Sequence, residues 1–129
     1  MNFGLRKPSA RRLLLAFAAA LAAATLTLAG CHAPLPPPTP LSQLTPQQMQ
    51  GRETFVQNCA ACHHADSRQN FHGPGLEGLF RRKYLPSGLP ASDENVTRDI
   101  EYGRNMMPPF GNTLDNQQVQ DLLAYLHTL

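Results

Sequence analysis

Two cysteines and one histidine near the middle of the chain form the pattern best suited to chemistry. They lie in "NCAACHHAD", where Cys59 and Cys62 are three positions apart and His63 follows directly. Cysteines at this spacing can form a disulfide, hold zinc or bond covalently to a haem. On a helix, positions i, i+3 and i+4 share one face, so the two thiols and the imidazole are predicted to point the same way.

Covalent haem attachment is the chemistry that this pattern favours. Two thiols can add to the two vinyl groups of one haem while the imidazole of His63 reaches the iron. A structural zinc site needs four ligands, but Cys31 is distant and the other histidines are scattered. A redox dithiol belongs at a helix start after a strand, a context that the chain lacks, and a disulfide leaves His63 unexplained.

A second candidate iron ligand follows the cysteine motif by some forty residues, in "NMMPPFG". A thioether is a soft, neutral ligand that favours ferrous iron and raises the reduction potential. Pro108 and Pro109 would stiffen the loop that holds such a ligand. Core filling is the alternative role for a methionine pair, but after a haem motif we predict that Met106 or Met107 binds the iron.

Three helices are predicted to position these residues. The first begins at Thr45, with Gln48 completing a capping box. The second begins at Ser92 and stops at Gly103, and the third begins at Asp115. No strand pattern appears, so the predicted class is all-α. The third helix carries an apolar stripe at helical spacing: Val119, Leu122, Leu123 and Leu126.

The predicted domain, residues 45–129, is short, and a large part of it is predicted to be loop. It has 85 residues, and the Gly- and Pro-rich stretch 64–91 has no regular pattern. Domains of this size are marginally stable without a staple, and long irregular loops are unusual unless they wrap something. A buried cofactor would supply the missing apolar mass.

The first thirty residues resemble a secretory signal. Four basic residues precede an uncharged run from Leu13 to Gly30. The run ends in "LAGC", which resembles the bacterial lipoprotein processing site, and the resemblance implies cleavage before Cys31 and lipid on Cys31. An uncleaved membrane helix is the alternative, since about eighteen apolar residues can just span a bilayer. Both interpretations place the domain outside the cytoplasm, on the periplasmic or cell-surface side.

Residues 31–44 are predicted to be a lipidated cysteine followed by a tether. Five of the twelve residues in "HAPLPPPTPLSQ" are proline, which favours polyproline II spacing over a packed core. A disordered tail is the alternative. Removal of residues 1–30 takes away four of the eleven basic residues, which leaves seven against nine acidic ones and a net charge of −2. No basic stripe with interleaved aromatic residues is present, so nucleic-acid binding is not expected.

The segment from Gly51 to Leu129 resembles a class I monohaem c-type cytochrome. Gly51 and Phe55 stand where the family has its first helix, followed by Cys59, Cys62 and His63 as the attachment site. "HGPGLEGLFRRK" is similar to the loop that covers the proximal side of the haem. The resemblance implies that the Pro74 carbonyl accepts a hydrogen bond from His63 and that Arg82 lies near a haem propionate.

The register of "IEYGRNMMPPF" resembles the family pattern in which a methionine directly precedes proline. It implies that Met107 is the axial ligand opposite His63 and that Met106 is a neighbour. The last helix, with Tyr125, resembles the family's C-terminal helix, which crosses the first and buries Gly51 and Phe55. "YLPSGLPASDEN" does not match the family closely. The resemblance implies an all-α cytochrome c-like fold of roughly three to five helices around one covalent haem c.

A haem with two protein ligands has no open position, so we predict a membrane-tethered one-electron carrier without substrate turnover of its own. Redox proteins and the membrane, through lipid at Cys31, are the expected partners, and the chain is expected to be a monomer or part of a redox complex. One alternative is a haem c electron-entry subunit of a larger dehydrogenase or oxidase. The other is a haem peroxidase or gas-binding protein in which Met107 leaves the sixth position open.

Overall fold

The structure is a computed structural model that describes residues 36–129, together with Arg11 and Leu14. The predicted signal of residues 1–30, those two positions apart, and the lipidated Cys31 therefore lie outside the described residues. The fold below is that of the unit Leu35–Leu129. Within the described residues, no helix combines the length and apolarity needed to cross a membrane.

Three α-helices form the frame of the domain: α1 at Pro46–Asn58, α2 at Asp93–Tyr102 and α3 at Asn116–Leu126. Short 3-10 helices lie at Leu41–Gln43 and Leu79–Arg81. Residues 36–129 contain no named strand, and their only β pairings are two isolated bridges. The all-α prediction is confirmed.

The helices begin where the sequence predicted, because hydrogen bonds between residues close in sequence define each start. The Thr45 hydroxyl accepts from the Gln48 backbone N–H at 3.3 Å, and the Gln48 side chain accepts from the Thr45 N–H at 2.8 Å. Asp115 and Gln118 form the same reciprocal pair before α3. Ser92 caps α2. Each cap satisfies backbone donors that the first helical turn leaves free.

Helices α1 and α3 pack closely at Gly51. A Cβ placed on Gly51 would collide with the carbonyl of Asp121, so only glycine allows this approach. One turn further along, the rings of Phe55 and Tyr125 lie 5.6 Å apart and are tilted by 55°. The predicted burial of Gly51 and Phe55 by the last helix is confirmed. All four residues of the predicted apolar stripe are buried: Val119, Leu122, Leu123 and Leu126.

The predicted loop between α1 and α2 contributes to the core. Leu79 and Leu85 are buried, with 5% and 7% of their surface exposed. Gly78 begins the 3-10 turn at a positive φ of 67°, which glycine adopts without steric cost. Beyond it, the Leu85 N–H donates to the Leu89 carbonyl at 2.8 Å and closes a turn. The loop thus wraps side chains inward along its length.

Candidate functional site

The cysteine motif lies in a turn directly after α1 rather than within the helix. Cys59 is the C-cap of α1, and its carbonyl accepts from the backbone N–H groups of Cys62 and His63, both at 2.9 Å. These bonds keep the coil compact for one more turn. The turn places Cys59 and His63 in the wall of one cleft, while Cys62 is exposed beside it.

The His63 ring is held between backbone groups of the following loop. Its Nδ1 lies 2.8 Å from the Pro74 carbonyl oxygen, so an Nδ1–H donates to that oxygen and the Nε2 lone pair stays free. Gly73 runs against the ring, where an added Cβ would come within 2.5 Å of Cε1. The Gly73 N–H donates to the Cys62 carbonyl at 2.8 Å and ties the loop to the motif. His63 is thereby prepared to offer one nitrogen to a metal.

The state of the Cys59 thiol bears on the alternatives to haem. Burial, reinforced by the nearby Cys62, raises the pKa of Cys59 to about 11. The raised pKa disfavours the thiolate that zinc binding and dithiol exchange both use. Among the described residues, no group of three or more His, Cys, Asp or Glu side chains is placed to hold a metal ion.

The methionine loop sends its two methionines in different directions. Gly103 and Asn105 have positive φ values of 72° and 53°, and they fold the chain into a tight turn. Reciprocal backbone hydrogen bonds of 3.0 and 2.9 Å between Arg104 and Met107 close it. Met107 is half-buried and lines the same cleft as His63. Met106, at the tip, is 86% exposed.

The cleft between these elements suits a large flat apolar group. Its empty space of about 600 Å³ is partly open to solvent, and Asp99 is the only carboxylate in its lining. His63 and Met107 are neutral donors of the kind that a haem iron accepts, and Cys59 places a thiol at the wall. A haem therefore fits the donor set and the apolar surroundings. The remaining lining residues are Phe55, Pro74, Leu76, Leu79, Leu85, Pro86, Val96, Ile100, Leu122 and Leu126.

Arg82 takes backbone partners in this structure. Its Nη2 donates to the carbonyls of Gly75 and Glu77 at 2.6 and 2.8 Å. The guanidinium therefore braces the loop that follows Pro74. The haem propionate that the family resemblance implied for Arg82 stays a prediction.

Several cleft residues were not identified from the sequence. Leu85 and Pro86 belong to the stretch "YLPSGLPASDEN", which has no clear family counterpart, yet both line the cleft. Gly73 carries no functional group, and its role is to let the backbone approach His63. Of these three residues, only Gly73 could have been identified from the sequence, because it lies directly before Pro74 in the segment that resembles the proximal loop.

Comparison with known families matches nearly the whole domain. A family model described as cytochrome c oxidase, cbb3-type, subunit III matches residues 46–126. This range begins at α1 and ends with α3. It therefore includes the cysteine motif and the methionine loop.

Individual relatives agree with the family match. Cytochrome c6 of Tetradesmus obliquus is 30% identical over 77 residues, which cover 60% of this chain and 84% of the relative. Cytochrome c6 of Bryopsis maxima is 32% identical over 76 residues, 59% of this chain and 84% of the relative. A solved structure of cytochrome c6 from the diatom Phaeodactylum tricornutum is 31% identical, with a TM-score of 0.48, covering 61% of this chain and 88% of that one.

Proposed function

Because this chain belongs to the class I monohaem c-type cytochromes, whose cofactor is one covalently bound haem c, we propose that it is a membrane-tethered one-electron carrier with His63 and Met107 as iron ligands. The observation that carries the proposal is that His63 and Met107 line one apolar cleft while Met106 is exposed. When bound, the haem supplies a one-electron Fe(III)/Fe(II) couple.

Cys59 and Cys62 hold the cofactor through thioether bonds. Each thiol would add its sulfur and its hydrogen across one vinyl double bond, so the attachment would consume no oxidant. The hydrogen-bonded turn after α1 supports this role because it keeps both cysteines and His63 within one turn of chain. The neutral Cys59 thiol already carries the hydrogen that the addition requires.

His63 supplies Nε2 to the iron, and Pro74 prepares it to do so. The 2.8 Å contact between Nδ1 and the Pro74 carbonyl keeps the proton on Nδ1, which leaves the Nε2 lone pair to face the metal. Arg82 supports the arrangement, since its two hydrogen bonds hold the loop immediately beyond Pro74.

Met107 supplies the second ligand. Its loop is closed by backbone hydrogen bonds and followed by two prolines, so the thioether stays in place as the iron changes charge. With His63 and Met107 both bound to the iron, substrate would have no coordination site, and electron transfer to partner proteins would be the remaining activity. A neutral sulfur ligand stabilises the ferrous state and keeps the potential high.

The tether is lipid attached to Cys31. A positively charged start, an uncharged run and "LAGC" support export and lipidation at this position. The electron carrier would then work on the periplasmic or cell-surface side, held at a membrane where its partners also lie. Tethering raises the effective concentration of those partners.

A second candidate function is electron entry into a larger oxidase or dehydrogenase. The description of the matched family as subunit III of a cbb3-type cytochrome c oxidase favours it. The chemistry at the cleft would be the same, but the partner would be permanent. Purification from membranes in mild detergent separates the two hypotheses, since a permanent partner copurifies in fixed ratio and a transient one does not.

Carbon monoxide tests the ligand assignment. The reduced protein, purified from membranes with its haem, is expected to show little change in its absorption spectrum under carbon monoxide, because Met107 occupies the sixth position. Ready carbon monoxide binding by the native protein would instead support a gas-binding or peroxidase-like function. Recovery of the protein in the soluble fraction of the cell envelope, without lipid, would contradict the tether.

A further inference from the structure

The proline-rich segment before α1 is bound to the end of the domain. The Thr39 N–H donates to the Thr128 carbonyl at 2.8 Å. Arg81 joins the same two segments, because its Nη2 donates to the Leu129 carbonyl at 2.7 Å and to the Pro36 carbonyl at 3.4 Å. Pro38 and Thr39 are half-buried, and Leu44 packs against the core. We call residues 36–44 the strap.

The strap lies against a buried part of the domain, Thr128 and Leu129. Thr128 and Leu129, which accept its hydrogen bonds directly or through Arg81, are only 8% and 4% exposed. Because four of the first five strap residues are proline, the strap is extended before it binds and loses little conformational entropy on docking. Proline has no backbone N–H to donate. Thr39, the one non-proline residue among residues 36–40, supplies the N–H that bonds to the domain.

Docking of the strap shortens the tether. From Cys31 to Thr45 there are fourteen residues, which as a free polyproline II stalk would span about 43 Å. With residues 36–44 bound to the domain, only the five steps from Cys31 to Pro36 remain, a span of about 16 Å. The anchor point of the chain thus moves from the start of α1 to the surface beside Arg81.

We propose that the strap fixes the orientation of the domain at the membrane, with the surface formed by Pro36, Leu41 and Arg81 facing the lipid. This inference rests on the proposed lipidation of Cys31. The short remaining tether holds that surface next to the bilayer. Leu41 is apolar and 56% exposed, and Arg81 is an exposed cation, a pair that suits the boundary between acyl chains and anionic headgroups.

Amide hydrogen exchange of the mature haem-loaded protein in detergent micelles tests the strap by itself. The Thr39 amide is expected to exchange at least about tenfold more slowly than in an unstructured peptide. Arg81→Gln is expected to remove most of this protection, while Lys83→Gln, which makes the same charge change two positions away, is expected to keep it. Exchange at the unstructured rate in the unaltered protein would overturn the strap, whatever the result for lipidation.

Neutron reflectometry on a supported bilayer tests the orientation. The protein layer is expected to begin within about 16 Å of the headgroups. Thr39→Pro combined with Arg81→Gln removes the strap contacts and should move the layer outward by up to about 27 Å, whereas Thr39→Val keeps the N–H and should not.

The outcomes separate the two proposals. A layer that begins at the same height in the unaltered protein and in the double variant, with Thr39 still protected in the unaltered protein, would overturn the membrane-facing surface. A protein that never enters the bilayer contradicts lipidation at Cys31 and leaves the strap intact.

Discussion

At the scale of single residues, His63 is positioned by backbone groups rather than by other side chains. The Pro74 carbonyl contacts Nδ1, and Gly73 lies against the ring face. The His63 N–H donates to the Cys59 carbonyl. Backbone groups cannot change rotamer, so the ring keeps one orientation and one tautomer. Substitutions that alter this backbone should therefore act on the iron site without removing a ligand.

Gly73→Ala is predicted to disturb the iron site. The added methyl would meet His63 Cε1 at 2.5 Å, so the loop or the ring must move. We expect a loss of about 1–3 kcal/mol in the free energy of unfolding, together with a changed reduction potential. Denaturant unfolding and potentiometry of the haem-loaded protein measure the two effects.

Gly88→Ala is the control for Gly73→Ala. No atom lies within 4 Å of the added methyl, and only the positive φ of 81° is strained. It should cost about 1–2 kcal/mol and leave the potential unchanged. Equal shifts of potential in the two variants would contradict the role of Gly73.

The two neighbouring methionines are predicted to differ sharply on substitution. Met107→Ala should keep the haem attached, admit carbon monoxide and lower the potential by about 0.1 V or more, within the roughly 0.8 V range that axial ligands control. Met106→Ala should change the potential far less, because its side chain is 86% exposed. Spectroelectrochemistry of both variants measures this difference. A larger change of potential in Met106→Ala than in Met107→Ala would show that Met106 is the ligand.

At the scale of secondary-structure elements, the crossing of α1 and α3 sets the back wall of the cleft. Gly51 lets the helices approach until backbone meets backbone, and Phe55 and Leu122 then face the cleft from either side. The capping boxes fix where each helix begins and so which residues reach the crossing. The site therefore depends on the spacing between two helices that are more than fifty residues apart in sequence.

Gly51→Ala is predicted to destabilise the protein, although helix propensity alone predicts the opposite effect. In a helix interior this change normally stabilises by about 1 kcal/mol, but here the methyl would collide with the Asp121 carbonyl. We expect a net loss of about 1–3 kcal/mol, measured by denaturant unfolding. Gln57→Ala, an exposed position on the same helix, is the control and should be nearly neutral. A stabilised Gly51→Ala protein would show that the helices separate easily.

At the scale of the whole molecule, the core and the cleft wall are largely the same residues. Of the twelve buried apolar side chains in the described part, seven also line the cleft. A domain of this size has little other apolar surface to bury. A haem in the cleft thus completes the core as well as providing the redox centre, which explains how such long loops can be ordered.

Cys59→Ala combined with Cys62→Ala is therefore predicted to prevent stable folding. Without thioether bonds the cleft loses the group that joins its walls, and we expect most of the helical circular dichroism signal to disappear. Ala61→Ser, an exposed change inside the same motif, should retain haem and helicity. A cooperative unfolding transition in the haem-free double variant would contradict the dependence of the core on haem.

Features with local causes could be predicted from the sequence. The spacing of Cys59, Cys62 and His63 indicated the cofactor, because thioether attachment and ligation depend on residue type and on distances along one turn. The starts at Thr45, Ser92 and Asp115 followed from side chains that bond to backbone groups three residues away. The apolar stripe of α3 followed from helical periodicity.

Features that depend on contacts between distant positions were decided only by the tertiary structure. The register before Pro108 implied Met107 by family resemblance, but the two side chains are identical, and only the fold of the methionine loop exposes Met106 and turns Met107 into the cleft. Arg82 binds the carbonyls of its own loop, and Thr39 pairs with Thr128 across the whole domain. The sequence by itself determined which chemistry the chain can carry, because bonding atoms belong to residue types. The tertiary structure determined which atoms meet, because packing is settled by all the elements together.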